Sequence, residues 1–600
     1  MTRRIEFAPA LAAGTLVFAA VWGGAFRPGQ WLLVGGFLVV VWLAAAREDR
    51  LSLDPWELMV VAALVWAAAS AAVVGAAPLA SKETILGWTF AWLMWRIGWG
   101  AGGVSRTVAL QVLAGGAAVV ALAVLWQAVV SGEVRTGGFF ENPNLAAAIL
   151  VASLAATPAR SPLIRYSWLI LVVAATVLTG SRAGLLAMVA AAAVVLPRGR
   201  MRIVGVAAAA TAGIAAVGWR LFSLPDVLAW HRVSIWRAVL EIWSARPVTG
   251  VGPGCLVEAA GVARMAYPNQ VGKYQFVVSV AESTPLAILV QVGVIGFVLA
   301  ASAIWLWVRN QRSSGSFSLP SFRACLAAVC VVSLFHDLLT VPVVLWWWAL
   351  TLGCSAGDRR EASVELQARA RPGLRAAMAL VVIWLTAWAI VAPAAAKMQM
   401  ASIPVSTAEV ERLTRIEPWY DEPAAALVDR IIADPTPWTW ESAAEGLFWA
   451  REAVRLHPGL ARRWADLGKV HLRVLTDLGG TVHDVGAARS ALAHAAALDP
   501  HLPWHWLERA RLERVAGEHE AALRYVHHAL EEEPNTVRGW LMLCRLELER
   551  GHVNVARQAL EEATSRAKLG GTPGLTPYEL ELVALPRDAA AVLARRLEGE

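Results

Sequence analysis

Runs of apolar residues, each close to the length that crosses a bilayer, succeed one another from residue 7 to residue 393 of this 600-residue chain. A hydrocarbon layer about 30 Å thick takes roughly 17 to 25 apolar residues per helix, so length picks out the crossings. They fall at 7–25, 31–46, 57–76, 84–99, 107–130, 144–158, 165–179, 183–197, 203–219, 284–308, 322–338, 341–354 and 375–393. The run 144–158 is short and Ala-rich, which predicts a broken or re-entrant helix packed inside protein. With 57% apolar residues and a mean hydropathy of +0.53, the chain is too apolar for an ordinary soluble enzyme. The expected fold class is all-α, a polytopic bundle of about 12–13 transmembrane helices followed by a helical C-terminal domain.

Charge sets the expected orientation. With Met1 in the cytoplasm, about nineteen basic residues lie on inward connectors and roughly four, Arg27, Lys82, Arg135 and Arg182, on outward ones. Arg3 and Arg4 before an apolar run also resemble a signal peptide, but the immediate next hairpin favours an uncleaved first span. An odd number of crossings puts the long segment 220–283 and everything after the last span outside. Its periodic apolar residues, Val227 to Trp243, predict an amphipathic helix on the bundle. The net charge of +7 resides mostly in inward loops, so it speaks for orientation and against nucleic-acid binding. Thirty tryptophans, among them Trp31, Trp42, Trp56, Trp95, Trp99 and Trp346 to Trp348, are expected in the interfacial aromatic belt. The five cysteines are scattered and spell neither a zinc site nor a disulfide framework.

Beyond about residue 400 the apolar runs stop and a repeat begins. Trp506, Gly517, Ala522 and Ala529 recur 34 residues later as Trp540, Gly551, Ala556 and Ala563. Pro534 closes one unit, and Ala495–Pro500 and Ala453–Pro458 close earlier ones. This period resembles tetratricopeptide repeats, paired helices whose small residues permit close packing. The expected domains are a transmembrane part over 1–395, a linker over 396–440 and a repeat domain over 441–600. Such arrays bind protein partners, so a protein partner is expected there.

Four stretches on the expected outer face carry polar chemistry: Arg135-Thr-Gly-Gly-Phe-Phe-Glu-Asn-Pro-Asn144, Thr179-Gly-Ser-Arg182, Arg232-Val-Ser-Ile-Trp236 with Pro247-Val-Thr-Gly-Val-Gly-Pro-Gly254, and Ala281-Glu-Ser-Thr284 leading to Gly293 and Gly296. In this order they resemble the O-antigen ligase and polymerase superfamily of bacterial envelope glycosyltransferases, over roughly residues 130–355. His336-Asp337 before Pro342 is similar to that family's late-helix pattern.

The resemblance implies a glycan donor linked to undecaprenyl diphosphate, transferred to a glycan or lipid acceptor at the periplasmic face of the inner membrane, without cofactor or metal. It implies that Arg182 and Arg232 contact the diphosphate, with Arg135 a third candidate. A forked guanidinium suits two phosphate oxygens and the charge that grows on a leaving oxygen. Where the family usually has His, this chain has Glu282, which becomes the candidate base beside a second candidate, His231. Asn142, Pro143 and Asn144 are expected to shape a turn and cap a helix. Gly250 and Gly252 follow no strand and are expected to shape a loop rather than cradle a nucleotide. The competing readings are a repeat-unit polymerase, a small-anion transporter and a catalytically silent scaffold.

Overall fold

The computed structural model describes residues 8–22, 34, 35, 37, 38, 54–132, 135–156, 161–195, 207, 211, 232–267, 270–313, 316, 319–356, 396 and 406–598. The span expected at 375–393, all of 203–219 but residues 207 and 211, most of 31–46 with Trp31 and Trp42, and His231 lie outside them.

Prolines open the bundle helices. Pro55, Pro78, Pro143, Pro162, Pro320 and Pro342 each stand in the first turn, where a missing N–H costs nothing and the fixed φ favours helix. The helices are α1 (Ala8–Val21), α2 (Pro55–Val74), α3 (Pro78–Trp99), α4 (Gly103–Ser131), α5 (Pro143–Ala152), α6 (Pro162–Leu178), α7 (Arg182–Val195), α8 (Arg232–Ala245), α9 (Thr284–Ser313), α10 (Pro320–Phe335) and α11 (Pro342–Ser355). Three stretches among the described residues, Pro55–Val74, Gly103–Ser131 and Thr284–Arg312, are long and apolar enough to cross a membrane alone. The spans α2 and α9 pack along each other, and shorter apolar helices join the bundle: α11 along α3, α7 along α10 and α1 along α4. α5 has ten residues, about 15 Å at the helical rise, and ends in a 3₁₀ turn, Ser153–Ala156. Every residue from Leu145 to Ala152 is buried, as a short helix inside protein requires.

The tryptophans correct an expectation. Trp346, Trp347 and Trp348 are fully buried at the centre of the bundle core, and Trp56, Trp95 and Trp99 are buried too. Some of the indole N–H groups find partners there: Trp346 donates to Gly87 O (2.8 Å), Trp347 to Ser153 Oγ (3.2 Å) and Trp56 to Asp54 Oδ2 (3.4 Å), whereas those of Trp95 and Trp348 make no hydrogen bond within the protein. Hydropathy alone does not separate a belt tryptophan from a core one.

The C-terminal part is a stack of helix pairs: α12 (Thr407–Ile416), α13 (Glu422–Ala433), α14 (Trp440–Leu456), α15 (Ala461–Leu478), α16 (Val482–Leu498), α17 (Pro503–Val515), α18 (His519–Glu532), α19 (Val537–Glu549), α20 (Val553–Ala567), α21 (Pro577–Val583) and α22 (Arg587–Glu598). α12 and α13 fall in the stretch expected as a linker, and α13 packs on α14. One hydrogen bond recurs in three units: Trp464, Trp506 and Trp540 each donate the indole N–H to the proline carbonyl six residues back, Pro458, Pro500 and Pro534. That bond explains why Pro and Trp repeat together.

The stack sits against the same end of the bundle as the segment following α8. Gly459 N donates to Ala76 O in the α2–α3 turn (3.0 Å), and Lys82 pairs with Glu417 at 2.7 Å with both side chains buried.

Candidate active site

The site forms where four connectors meet. Thr136 N donates to Leu178 O (3.3 Å), which lays the Arg135 connector on the end of α6, next to the turn that starts α7 at Arg182. Asn142 caps α5 by accepting from Asn144 N (3.0 Å), with Pro143 in the first turn. The turn and cap expected of these residues are in place.

Gly250 and Gly252 shape the next connector. α9 breaks at Gly293, where φ is +65°, and the freed backbone groups of Val290 to Val294 bind the Pro247–Gly254 loop. Val251 N donates to Val290 O (2.8 Å), Gly252 N to Gln291 O (2.9 Å) and Val294 N to Pro247 O (2.9 Å). Gly254 N is taken by the Gln291 side chain (2.8 Å). Gly250 has φ +71°, and a Cβ there would stand 2.6 Å from the Gln291 backbone, so only glycine fits. The N–H groups of Val251, Gly252 and Gly254 are thus taken by α9 and do not form a phosphate cradle.

Glu282 stands just before α9. Its φ of +51° makes it the one non-glycine residue with positive φ among the described residues. Holding a side-chain-bearing residue there costs about 1–2 kcal/mol, a strain typical of functional positions. Arg232, the first residue of α8, places Nη2 at 3.5 Å from Glu282 Oε2, and His336 places Nδ1 at 3.5 Å from the same oxygen. Arg232 also lies over the Phe335 ring at 5.8 Å. Thr284 fixes His336: its hydroxyl donates to His336 O (2.8 Å) and accepts from Leu338 N (3.0 Å). Burial pushes the Glu282 carboxyl up, but the His336 hydrogen bond and the charges of His336, Arg232 and Arg135 outweigh it and hold the group below the usual range. Glu282 is therefore ionised. His336 Nε2 and Asp337 Oδ2 are buried and make no hydrogen bond within the protein.

Arg135, Arg232 and Glu282 thus share one site, and Arg182 begins a helix beside the Arg135 connector. Sequence reasoning identifies His336 as part of a motif but does not bring it to Glu282, because 54 residues separate them. The two-sided fixation by Thr284 is the missing signal.

An all-α protein with an apolar bundle, a polar site at one end and a stack of helical repeats is the class these features define. Residues 167–301 match the family model of O-antigen ligase, and residues 503–546 match that of the tetratricopeptide repeat. Over residues 167–301 the chain is O-antigen ligase-like, it carries tetratricopeptide repeats C-terminal to that stretch, and helices long and apolar enough to cross a membrane accompany the likeness. No curated protein matches it. Among solved structures, a thermophilic TPR protein of Thermus thermophilus is similar at 18% identity and TM-score 0.24, covering 32% of this chain and 88% of its own. Yeast Tom70 is similar at 11% identity and TM-score 0.19, covering 82% of this chain and 93% of its own.

Proposed function

We propose that this chain transfers a preassembled glycan from undecaprenyl diphosphate to an acceptor at the periplasmic face of the bacterial inner membrane, without metal or cofactor. In this reading residues 1–395 form the membrane part, residues 441–600 the repeat domain, and both the 220–283 segment and the repeats are periplasmic. The observation that supports it is the pairing of Arg232 with a strained, ionised Glu282 inside the stretch that resembles an O-antigen ligase, with the charge of Arg135 in reach of Glu282.

The chemistry follows from charge. Arg232 and Arg135, with Arg182 beside them, bind the diphosphate and stabilise the charge that develops on its leaving oxygen. The free site has too many cations for Glu282 to be a strong base. A bound diphosphate neutralises them, so donor binding raises the proton affinity of Glu282 when the acceptor arrives. Arg232 and His336 both approach Oε2, which leaves Oε1 for the acceptor hydroxyl. The hydroxyl proton passes to Glu282 as its oxygen bonds to the anomeric carbon. The bond from that carbon to the phosphate oxygen breaks, and undecaprenyl diphosphate leaves with the bonding electrons. His231 is the second candidate base.

Deletion of the gene followed by analysis of envelope glycans tests the reading. Loss of long chains from their acceptor, with complete chains accumulating on the polyprenyl lipid, is expected. Accumulation of single repeat units instead identifies a polymerase, and an unchanged lipid-linked pool overturns the reading.

A further inference from the structure

Three repeat units place an equivalent residue against the chain's own loop. His457, Asp499 and Glu533 each precede the unit's proline, and each donates its backbone N–H to the alanine carbonyl four residues back, Ala453, Ala495 and Ala529. Their side chains therefore leave the stack at matching points, and they meet the loop in order. His457 Nε2 lies 3.3 Å from Glu258 Oε1. Asp499 receives both Nε and Nη2 of Arg264, at 2.8 and 2.6 Å. Glu533 accepts the backbone N–H groups of Lys273 (2.9 Å) and Tyr274 (2.7 Å). Next to Glu533, Asn535 Nδ2 donates to Val271 O (2.9 Å).

The loop leads to the site. Leu256, Ala260 and Ala263 on its near side, and Val278 and Ala281 on its return, are buried in one apolar cluster with Ala238, Val239 and Ile242 of α8 and Ala287 and Val290 of α9. Arg232 begins α8, and Glu282 follows Ala281. Whatever holds the loop holds both partners of the Arg232–Glu282 pair. The strained backbone at Glu282 needs such a hold, because a residue in that conformation persists only where its surroundings fix it.

We propose that the repeat array is a clamp on its own chain, in which His457, Asp499 and Glu533 are positioning residues that keep Glu282 in place by gripping Glu258, Arg264, Lys273 and Tyr274. The face of the array that carries these three residues is occupied by the loop, so it is not where a second protein docks.

The test uses the full chain in lipid nanodiscs and reads amide hydrogen exchange. Arg264→Asp and Asp499→Arg each place like charges in the seam. Each is expected to speed exchange about tenfold or more at Lys273 and Tyr274 and at residues 278–283. Combining the two restores the pair in reverse and is expected to return protection to within about threefold of the parent. Glu533→Gln, which keeps the side chain's shape, is expected to act on the same amides while the buried Val526 and Cys544 of the array stay protected. If a charge variant also exposes Val526 and Cys544, its repeat has unfolded and Glu533→Gln decides. Unchanged exchange at 278–283 in the folded variants, or no recovery in the reversed pair, overturns the clamp.

The effect on rate rests on the proposed transferase reading: kcat falls with the loss of protection while donor KM changes less than about threefold. Faster exchange at 278–283 with an unchanged kcat overturns the role of Glu282 in transfer and leaves the clamp standing. A parent that transfers no glycan overturns the transferase reading, and the exchange result then decides the clamp alone.

Discussion

Two polar regions lie within one loop's length of each other, and they are built on opposite rules. Around the repeats, charges are matched: Arg264 of the loop with Asp499 at 2.6 Å, Lys82 of α3 with Glu417 at 2.7 Å and, within the array, Arg463 with Asp421 at 2.7 Å. At the site, Glu282 is approached by Arg232 and His336 only at 3.5 Å, its backbone is strained, and Arg135 adds a further positive charge. Matched buried pairs hold two surfaces in register. An excess of one sign around a single carboxylate is poor for stability and suited to a ligand of the other sign. The seam is the holder and the site is what is held.

The sharpest way to break this contrast is at Arg232. Arg232→Ala is expected to lower the transfer rate by about 10²–10³, because a donor to the leaving oxygen is lost. Arg232→Lys is expected to recover only part of that rate, since a point charge lacks the fork. Transfer from purified polyprenyl-linked glycan in nanodiscs measures both, and an Ala variant as fast as the parent removes Arg232 from the mechanism. Glu282→Gln is expected to cost about 10² in kcat with donor binding retained, since the amide cannot take the proton. Glu282→His, which restores the residue usual in similar proteins, is expected to keep substantial activity. A Glu282→Gln protein at the parental rate would move the base to His231.

In the seam a similar deletion should be felt as stability and not as chemistry. Asp499→Ala leaves the Arg264 guanidinium buried with only Tyr274 O to bind. A loss of about 3 kcal/mol in the loop–repeat contact is expected, the usual consequence of stripping one partner from a buried pair. Thermal unfolding of the full chain and protease cleavage of the loop report it. A melting profile unchanged from the parent would mean that the pair adds nothing to the contact.

How far these regions can be read in the sequence differs for a physical reason. Helices opened by Pro55, Pro143 or Pro342 are local events, and so is the Pro–Trp spacing of the repeats, so both are visible in the chain. Arg135, Arg232 and Glu282 are visible as motifs because each sits in a short pattern with its own turn. The seam is not visible, because Arg264 and Asp499 are 235 residues apart and nothing near either names the other. In the sequence the break at Gly293 is a small-residue pattern within a span, and it becomes legible only when Val248 to Gly252 fill it. Trp346 to Trp348 show the limit of composition, since a core lined by Gly87 and Ser153 accepts what the membrane interface also favours.

The smallest expected effect separates the regions by pH. Burial tends to lower the affinity of His457 for its proton, but Asp421 and Glu258 on its two ring nitrogens carry its pKa up to about 9. Arg463, bound to the same Asp421, is the other charge in reach and stays protonated throughout. The folded pKa exceeds the unfolded value near 6.5, so the contribution is full below about pH 6.5 and is lost as pH rises through 9. Asp421 belongs to the array and stays with His457 when the loop leaves, so only the Glu258 share of this shift bears on the loop–repeat contact, which should weaken by about 1 kcal/mol or less between pH 6 and pH 10. Amide exchange of Lys273 and Tyr274, corrected for the intrinsic pH dependence, measures it. His457→Gln should start weaker at pH 6 and show a flat profile, because no proton remains to be lost. A parent profile as flat as that of the variant would mean that His457 is already neutral at pH 6, and would leave Asp499 and Glu533 as the whole of the grip.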